Sequence, residues 1–325
     1  MTPRLHRRHP ELAATLRHVP LGTSPTPVRR LKALEHPGTE LWMKDDGAFG
    51  DGGWGGNKVR KLEWILPEAR RRRARTIVTV GGLGTNWGLA TALYGREHGI
   101  ATALMLLDQP VDDHVLAQQE RLKHSGAALH YTHTKARTVA SLPLVMARHS
   151  AGGRPPYLQP AGGSSAVGAL GYVEAAYEIA DQVAAGELPA PSHVVTTVGS
   201  GGTAAGLALG LALAGIEATV VGIVVNDSLR LDTPALTRLA ERTAKLLAGR
   251  GAAVGVPRLR LRSLDSWMGP GYGHPTPEST RAIADAAASE ALELDPVYTS
   301  KTMAAIRAMD LGPGPVLYIH TDGPR

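Results

Sequence analysis

The chain has 325 residues, of which 43% are hydrophobic and 20% charged, within the usual range of globular proteins. It contains no cysteine, which excludes disulfides, zinc–thiolate sites and cysteine nucleophiles from these residues and agrees with a cytoplasmic location. No apolar run is long enough to cross a bilayer, so we expect no association with membranes.

The formal net charge of +6 raises the question of a nucleic-acid partner. The densest basic run, at residues 70–75, lies between a predicted helix and a predicted strand, as expected of a solvated helix end. Because the chain has a single phenylalanine, it shows no sign of an aromatic stacking surface. We therefore expect no nucleic-acid partner and assign part of the positive charge to an anionic small ligand.

Apolar strand patterns alternate with helical patterns along most of the chain. In chain order, the predicted strands are residues 41–44, 76–80, 101–107, 193–198, 218–225 and 316–320. The predicted helices are residues 57–73, 86–98, 112–125 and a small-residue helix that ends at 214. The Gly/Pro-rich stretch 151–163 is expected to cross between two lobes, and residues 270–277 to form a loop. This alternation predicts an α/β fold with parallel sheets covered on both faces.

A lysine stands at the junction of a glycine-rich turn and a predicted helix, in the segment Gly-Gly-Asn-Lys-Val-Arg-Lys-Leu-Glu at residues 55–63. Glycines let the backbone approach a ligand, and a helix N-terminus is electropositive. A lysine that is partly desolvated there can lose its proton near neutral pH and act as an amine nucleophile. A solvated surface lysine is the alternative interpretation of Lys58, but the glycine setting favours the functional one.

Two more glycine-rich segments follow predicted strands, at the edge where parallel sheets bind ligands. In residues 80–88, exposed amides and the Thr85 hydroxyl suit a carboxylate, although Thr85 or Asn86 as a plain helix N-cap is an alternative. In residues 198–206, backbone amides and the hydroxyls of Ser200 and Thr203 suit a phosphate.

The later glycine segment also fits the dinucleotide pattern G-x-G-x-x-A. That interpretation requires the loop in the first βαβ unit and an acidic residue about 20 positions further on. Here the loop comes late in the chain, and the nearest candidate, Asp227, is too distant. Tight packing of a helix against a strand, without any ligand, is a further alternative.

Two tyrosines and a histidine pair complete the candidate side chains. Tyr272 and Tyr298 are possible acids, although a tyrosine is more often a core residue with a hydrated hydroxyl. Tyr272 is the stronger candidate, because its glycine-flanked loop has little core to fill. His130 and His133 have the spacing of metal ligands, but no acidic residue or cysteine accompanies them, so we expect no metal.

The ordered combination of these segments resembles the pyridoxal-phosphate enzymes of the tryptophan-synthase-β fold, known as fold type II. Within them, it is most similar to the 1-aminocyclopropane-1-carboxylate deaminase and D-cysteine desulfhydrase family. The likeness runs from about Thr26 to Gly323 and is carried by residues 44–46, 55–63, 80–86, 162–164, 168–172, 198–206, 295–301 and 320–321.

The resemblance implies two open, twisted parallel-sheet domains with pyridoxal 5′-phosphate between them. The large, cofactor-binding domain would comprise residues 1–48 and 160–325, and the small domain residues 49–159. It also implies a small amino-acid substrate and a homodimer.

The resemblance further implies a role for each matching residue. The catalytic set would be Lys58, Thr85, Tyr272 and Tyr298. The cofactor-binding set would be Lys58, Lys61, Asn86, Gly199, Ser200, Gly201, Gly202, Thr203, Thr299 and Thr321. The substrate-binding set would be Thr85, Asn86, Trp87, Ser164 and Tyr272.

Within these sets, Lys58 would bond to the cofactor and move the substrate α-proton, while Lys61 would help neutralise the phosphate. Asn86 would bind the ring hydroxyl, and residues 199–203 would hold the phosphate. The backbone at residues 85–87 would bind the substrate carboxylate. Tyr272 and Tyr298 would line the substrate side.

Thr299 would face the pyridine nitrogen, where cyclopropane deaminases of this family have a glutamate. A neutral hydroxyl there favours β-elimination from a small, probably D-configured amino acid, giving a 2-oxo acid and ammonia. Alternatives are a cyclopropane deaminase or β-replacement enzyme with a specialised substrate, a cofactor-binding protein without turnover, and, more distantly, a dinucleotide oxidoreductase.

The chain departs from the family pattern at three positions near the expected site. Thr85 and Trp87 replace the usual serine and polar residue, and Asp322 stands where a glycine is usual. The Trp87 ring would either select a different substrate or fill the space of the usual polar side chain.

Overall fold

The computed structural model describes residues 2–50 and 54–323. Its strands are β1 Val28–Arg30, β2 Leu41–Asp45, β3 Thr76–Gly82, β4 Ala101–Leu107, β5 Ala128–His133, β6 Tyr157–Leu158, β7 His193–Val198, β8 Thr219–Val224, β9 Leu261–Leu264 and β10 Val316–His320. Its α-helices are α1 Arg4–Arg8, α2 Asn57–Arg71, α3 Asn86–Glu97, α4 Asp113–His124, α5 Lys135–Arg148, α6 Ala166–Ala184, α7 Gly202–Leu213, α8 Thr233–Gly249, α9 Pro277–Glu290 and α10 Thr299–Ala308.

In the described part of the chain, the strands form two sheets. The larger has the order β1-β2-β10-β7-β8-β9, and the smaller has the order β5-β4-β3-β6. Neighbouring strands are parallel throughout, except that β1 is antiparallel to β2. The α/β fold with parallel sheets is therefore confirmed.

Both faces of the large sheet are covered, as its apolar strands require. On β8, Val220 packs in the cluster formed with α6 and α7, whereas Val221 packs in the cluster formed with α9 and α10. Leu317 and Tyr318 on β10 divide in the same way, because successive side chains of a strand point to opposite faces.

The strands of the small sheet fall within residues 76–158, and those of the large sheet lie on either side of that range. This distribution is compatible with the expected domains, whose boundaries stay a prediction. Helix α2, inside the expected small domain, packs closely on α6. A Cβ added at Gly171 of α6 would lie 2.2 Å from the carbonyl oxygen of Arg60.

A buried ionic cluster fixes α2 beneath the large sheet. Glu178 of α6 lies 2.6 Å from Lys44 Nζ and 3.0 Å from Arg60 Nη2, and Arg60 also pairs with Asp46 at 2.9 Å. All four side chains are essentially inaccessible to water. The two cations hold the pKa of Glu178 far below its usual value, against the opposing effect of burial.

The sequence pattern missed four strands, β1, β5, β6 and β9, and all four are edge strands. Strands β1 and β6 have only three and two residues, while β5 and β9 carry polar or half-buried residues such as His130 and Arg262 rather than a continuous apolar run. The stretch 151–163 does lead from the small sheet to α6, but it also contributes the short strand β6. No helix among the described residues combines the length and apolarity that a membrane crossing demands.

Candidate active site

A cavity of about 420 Å³ lies where the carboxyl ends of β3, β7 and β10 meet α2 and α3. Most of the sequence-predicted site residues line it: Lys58, Lys61, Thr85, Asn86, Trp87, Gly199, Ser200, Gly201, Thr203, Tyr272, Tyr298 and Thr321. Three of them do not line it, namely Ser164, Gly202 and Thr299.

Lys58 is the second residue of α2 and points into this cavity. The helix begins after Gly56, whose φ of +91° strongly favours glycine. A Cβ added at this residue would also lie in tight contact, 3.2 Å from Gly323 Cα. Burial lowers the pKa of Lys58 to about 8. An appreciable fraction of its amine is therefore uncharged near neutral pH.

Lys61 lies one helical turn further along α2. Its Nζ donates to the carbonyl oxygen of Gly162 at 3.0 Å, and its side chain is about 1% exposed. Burial, and secondarily the charge of Lys58, hold the pKa of Lys61 well below its ordinary value. No described acidic side chain offsets the effect of burial on the pKa of these two amines. An anionic ligand bound beside them would favour their charged forms.

The glycine segment after β7 turns at Gly201, with φ +90°, and begins α7 at Gly202. The amide of Gly202 donates to Ser164 Oγ at 2.9 Å, and the Ser164 hydroxyl donates to Ser200 Oγ at 2.8 Å. A Cβ at Gly202 would lie 2.8 Å from Ser164 Oγ and 3.2 Å from Lys61 Nζ. Ser164 therefore supports this segment from behind instead of lining the cavity as expected.

Thr85 and Asn86 begin α3 at the cavity wall. Thr85 is the N-cap of the helix, with its Oγ1 accepting from the Gly88 amide at 3.1 Å, which was one of the two interpretations of this residue. Asn86 Oδ1 accepts from Gln118 Nε2 at 2.5 Å. This contact orients the Asn86 amide, so that its NH2 group remains available as a donor.

The Trp87 ring packs into the protein beside the cavity. Its side chain is 2% exposed, and its indole Nε1 donates to Thr79 Oγ1 at 2.7 Å. The ring also covers Gly163, where an added Cβ would lie 2.6 Å from Trp87. Of the two expectations for this residue, the geometry favours the ring as a filler of space.

Tyr272 and Tyr298 meet across the cavity through a short hydrogen bond between their hydroxyls. Tyr298 immediately precedes α10, and Tyr272 comes from the loop between β9 and α9. Burial raises the pKa of Tyr272, and burial together with Tyr272 raises that of Tyr298 well above the ordinary value. Both hydroxyls therefore keep their protons at neutral pH and are able to donate them.

Thr299, expected at the pyridine nitrogen, is not among the residues that line the cavity. Its Oγ1 donates to Asp295 Oδ2 at 2.5 Å and accepts from the Asp295 amide at 2.8 Å, and the residue is fully buried away from the cavity. Asp295 lines the cavity instead, and Thr321 lines it at the end of β10.

The sequence analysis also missed Asn226 at the cavity wall. Its Nδ2 donates to the carbonyl oxygen of Gly199 at 3.0 Å and so fixes the start of the glycine segment. The signal for it was its place just after β8, at the edge where parallel strands end. His130 and His133 do not form a pair: His130 Nε2 contacts His149 Nε2 at 2.9 Å, and His133 contacts Asp108.

Comparisons with known proteins bear directly on this cavity. The sequence profile described as "Pyridoxal-phosphate dependent enzyme" matches residues 19–322. This chain belongs to the pyridoxal-phosphate-dependent enzymes. It is 34% identical over 313 residues to D-cysteine desulfhydrases of Salmonella paratyphi A and Klebsiella pneumoniae, covering 92% of this chain and of each relative. A solved homologue of ACC deaminase is 30% identical, with a TM-score of 0.81 over 99% of this chain and 95% of that chain.

These findings confirm the fold-type-II resemblance and the cofactor, and they exclude the dinucleotide alternative. The residues of this pyridoxal-phosphate enzyme fit the group. The amine of Lys58 suits a bond to an aldehyde carbon, and the start of α7 beside Lys61 suits a phosphate. Glycines at positions 201 and 202 let a ligand approach the backbone amides closely, because no side chain covers them. A side chain at position 202 would also not fit, since its Cβ would lie 2.8 Å from Ser164 Oγ.

Proposed function

We propose that this enzyme eliminates a β-substituent from a small D-amino acid, with D-cysteine as the first candidate substrate. The observation that carries the proposal is that one cavity brings together the Lys58 amine and the protonated Tyr272–Tyr298 pair. A base and an acid in one cavity are what the loss of an α-proton and a β-leaving group requires. The identity to D-cysteine desulfhydrases over 92% of the chain supports the choice of substrate.

Bound pyridoxal phosphate draws electrons from the substrate Cα and so makes its hydrogen acidic. The unprotonated Lys58 amine would then remove that proton. As the Cβ–S bond breaks, its electron pair leaves with sulfur, and a tyrosine hydroxyl would protonate the departing group. Hydrolysis of the remaining enamine completes the balance: D-cysteine and water give pyruvate, hydrogen sulfide and ammonia.

Binding roles follow from the contacts around the cavity. We propose that the amides at the start of α7, the Ser200 and Thr203 hydroxyls and Lys61 bind the phosphate. A phosphate dianion beside Lys61 would restore the proton that burial disfavours there. Asn86, oriented by Gln118, would donate to the ring hydroxyl. Exposed amides near Thr85 would bind the substrate carboxylate.

At the pyridine nitrogen, we propose Thr321 in place of Thr299. Thr321 borders the cavity, whereas the Thr299 hydroxyl is occupied by Asp295. The partner of the nitrogen is still a neutral hydroxyl, so the argument for elimination over ring opening is unchanged. We also propose a cytoplasmic location and a homodimer, which fractionation and light scattering of the purified enzyme would test.

The first experiment is the visible absorption spectrum of the purified enzyme with added pyridoxal phosphate, beside Lys58→Ala. Lys245→Ala, on the exposed face of α8, is the matched control. We expect Lys58→Ala to alter the cofactor band and abolish sulfide release from D-cysteine, while Lys245→Ala leaves both unchanged.

Parallel assays with L-cysteine, 3-chloro-D-alanine and 1-aminocyclopropane-1-carboxylate test the substrate. Release of sulfide from D-cysteine but not from L-cysteine supports the proposal. Formation of 2-oxobutyrate from 1-aminocyclopropane-1-carboxylate would instead support the ring-opening alternative. A cofactor band that responds to none of these amino acids would contradict the proposed reaction and favour a specialised substrate or a protein without turnover.

A further inference from the structure

The loop that carries Tyr272 has little structure of its own. It spans residues 265–276 between β9 and α9 without helix or strand. Gly269, Gly271 and Gly273 within it all have positive φ values. A segment of this kind has no hydrogen-bond ladder to fix its course, so the position of Tyr272 depends on contacts from elsewhere.

Lys301 supplies the main contact. Its side chain is fully buried, and its Nζ donates to the carbonyl oxygen of Met268 at 2.6 Å and to that of Gly271 at 3.4 Å. These carbonyls lie on the Tyr272 loop, and the second belongs to the residue immediately before Tyr272. One ammonium group thus bridges two points of the loop that are three residues apart.

Lys301 and Tyr298 belong to the same helix start. Lys301 stands three residues after Tyr298, in the first turn of α10. The same helix start therefore presents both the Tyr298 hydroxyl and the cation that holds the opposite loop. The start of α10 therefore couples the positions of the two tyrosines, because Lys301 and Tyr298 cannot move independently within one helical turn.

Asp227 holds the same loop from the side of β8. Its Oδ1 accepts from the Tyr272 amide at 3.4 Å, and a Cβ at Gly271 would lie 3.0 Å from its Oδ2. Burial lowers the pKa of Lys301, and Asp227 acts in the opposite direction, favouring the charged amine. The loop is thus confined between a carboxylate and an ammonium group.

We propose that Lys301 is a positioning residue that fixes the Tyr272 loop so that the hydroxyls of Tyr272 and Tyr298 stay in contact. Lys301 does not itself line the cavity, so it acts through Tyr272. The proposal rests on the proposed function for the catalytic role of the tyrosines, but the anchoring of the loop is independent of that role.

The kinetic test is a double-mutant cycle in the cofactor-loaded enzyme, with Lys301→Met, Tyr272→Phe and their combination. With D-cysteine, or 3-chloro-D-alanine if that is the better substrate, we expect Lys301→Met to lower kcat about 100-fold, the cost of a misplaced catalytic group, with little change in KM. The double variant should be no slower than Tyr272→Phe. Lys301→Gln, which keeps an N–H donor, should recover part of the rate.

Lys44→Met is the matched control, because Lys44 is equally buried but pairs with Glu178, remote from the loop. Lys44→Met should lower thermal stability. Any fold-change that it causes in kcat should be independent of Tyr272, so that in a Lys44→Met/Tyr272→Phe double variant the two fold-changes multiply. If the fold-losses of kcat caused by Lys301→Met and by Tyr272→Phe also multiply in their double variant, Lys301 does not act through Tyr272 and the proposal is overturned.

Hydrogen exchange of the protein without cofactor provides a readout that does not require turnover. Lys301→Met and Lys301→Gln should speed exchange in peptides covering residues 265–276, whereas Lys44→Met should not. Unchanged exchange there in a folded variant would refute the anchoring. If Tyr272→Phe proves fully active, the proposed function of that tyrosine fails, and exchange still decides whether Lys301 holds the loop.

Discussion

Thr299 and Asp295 form a closed pair, in which the threonine hydroxyl donates to Oδ2 at 2.5 Å and accepts from the aspartate amide at 2.8 Å. Asp295 Oδ1 in turn accepts from the Tyr298 amide at 2.6 Å. The pair therefore fixes the start of α10 and with it the backbone of Tyr298. Thr299 thus contributes to the support of the site, whereas Thr321 is among the hydroxyl residues that line the cavity.

The two threonines should respond differently to the same change. We expect Thr321→Val to raise the dissociation constant of pyridoxal phosphate about fivefold, the equivalent of one lost hydrogen bond, and to shift the pH dependence of its absorption band. Thr299→Val should leave both within twofold but lower the unfolding free energy by about 1–3 kcal/mol, because the buried Asp295 amide loses its acceptor and Oδ2 loses one of its donors. Cofactor titration and urea unfolding measure the two effects. The reverse pattern would restore Thr299 to the pyridine nitrogen.

Lys61→Met should weaken cofactor binding without altering the cofactor bond to Lys58. Removing one charged hydrogen bond to a phosphate corresponds to a loss of about 10- to 100-fold in affinity. Inorganic phosphate, which lacks the aldehyde, should show the same relative loss when it competes with the cofactor. Lys245→Met is the control. If Lys61→Met keeps its affinity for both ligands, then the phosphate lies elsewhere.

Asp322 should make the enzyme without cofactor less stable as the pH rises. Burial, followed by the charges of Glu293 and Asp45, raises the pKa of Asp322 from 3.8 to about 7. The folded state therefore binds more protons than the unfolded state between these values, and its stability falls as the pH rises from about 4 to 7. Above pH 7 the whole cost is present.

Asp322→Asn should remove this component and stabilise the protein at pH 8, by an amount of order 2 kcal/mol. It should have little effect at about pH 3, below the pKa of Asp322 in both states, where both largely hold the proton. Thermal unfolding of the two proteins across that range measures the difference. A gap between them that stays constant with pH would contradict the raised pKa.

Two glycine-to-alanine changes should have opposite effects. Gly171→Ala places a methyl group 2.2 Å from the Arg60 carbonyl oxygen, so α2 and α6 must separate, at a cost of about 1–3 kcal/mol. Gly249→Ala, in α8, meets nothing within 4 Å and should be neutral or stabilising by about 0.5 kcal/mol. Urea midpoints compare the two. Because α2 carries Lys58, Gly171→Ala should also disturb the cofactor spectrum, whereas Gly249→Ala should not.

The sequence alone determined the α/β fold and the segment that carries Lys58, and the resemblance of its ordered segments to a known family implied the cofactor. The fold class and the lysine segment are local features: strand and helix periods, glycines at strand ends and a lysine at a helix start follow from residues close together in the chain. Strands β1, β5, β6 and β9 were not predicted because edge strands need no long apolar run, and their pairing is decided by residues distant in the chain.

Tertiary structure alone decided where side chains point. The sequence favoured Thr299 at the pyridine nitrogen and Ser164 on the substrate, and it left open whether the Trp87 ring contacts the substrate or fills space. In the fold, Thr299 pairs with Asp295, Ser164 with the Gly202 amide and the Trp87 indole with Thr79. Each of these directions is set by a partner in another turn or element, whose position depends on the packed core as a whole. Short-range patterns fix the residues of a site, and long-range packing fixes which of them face the ligand.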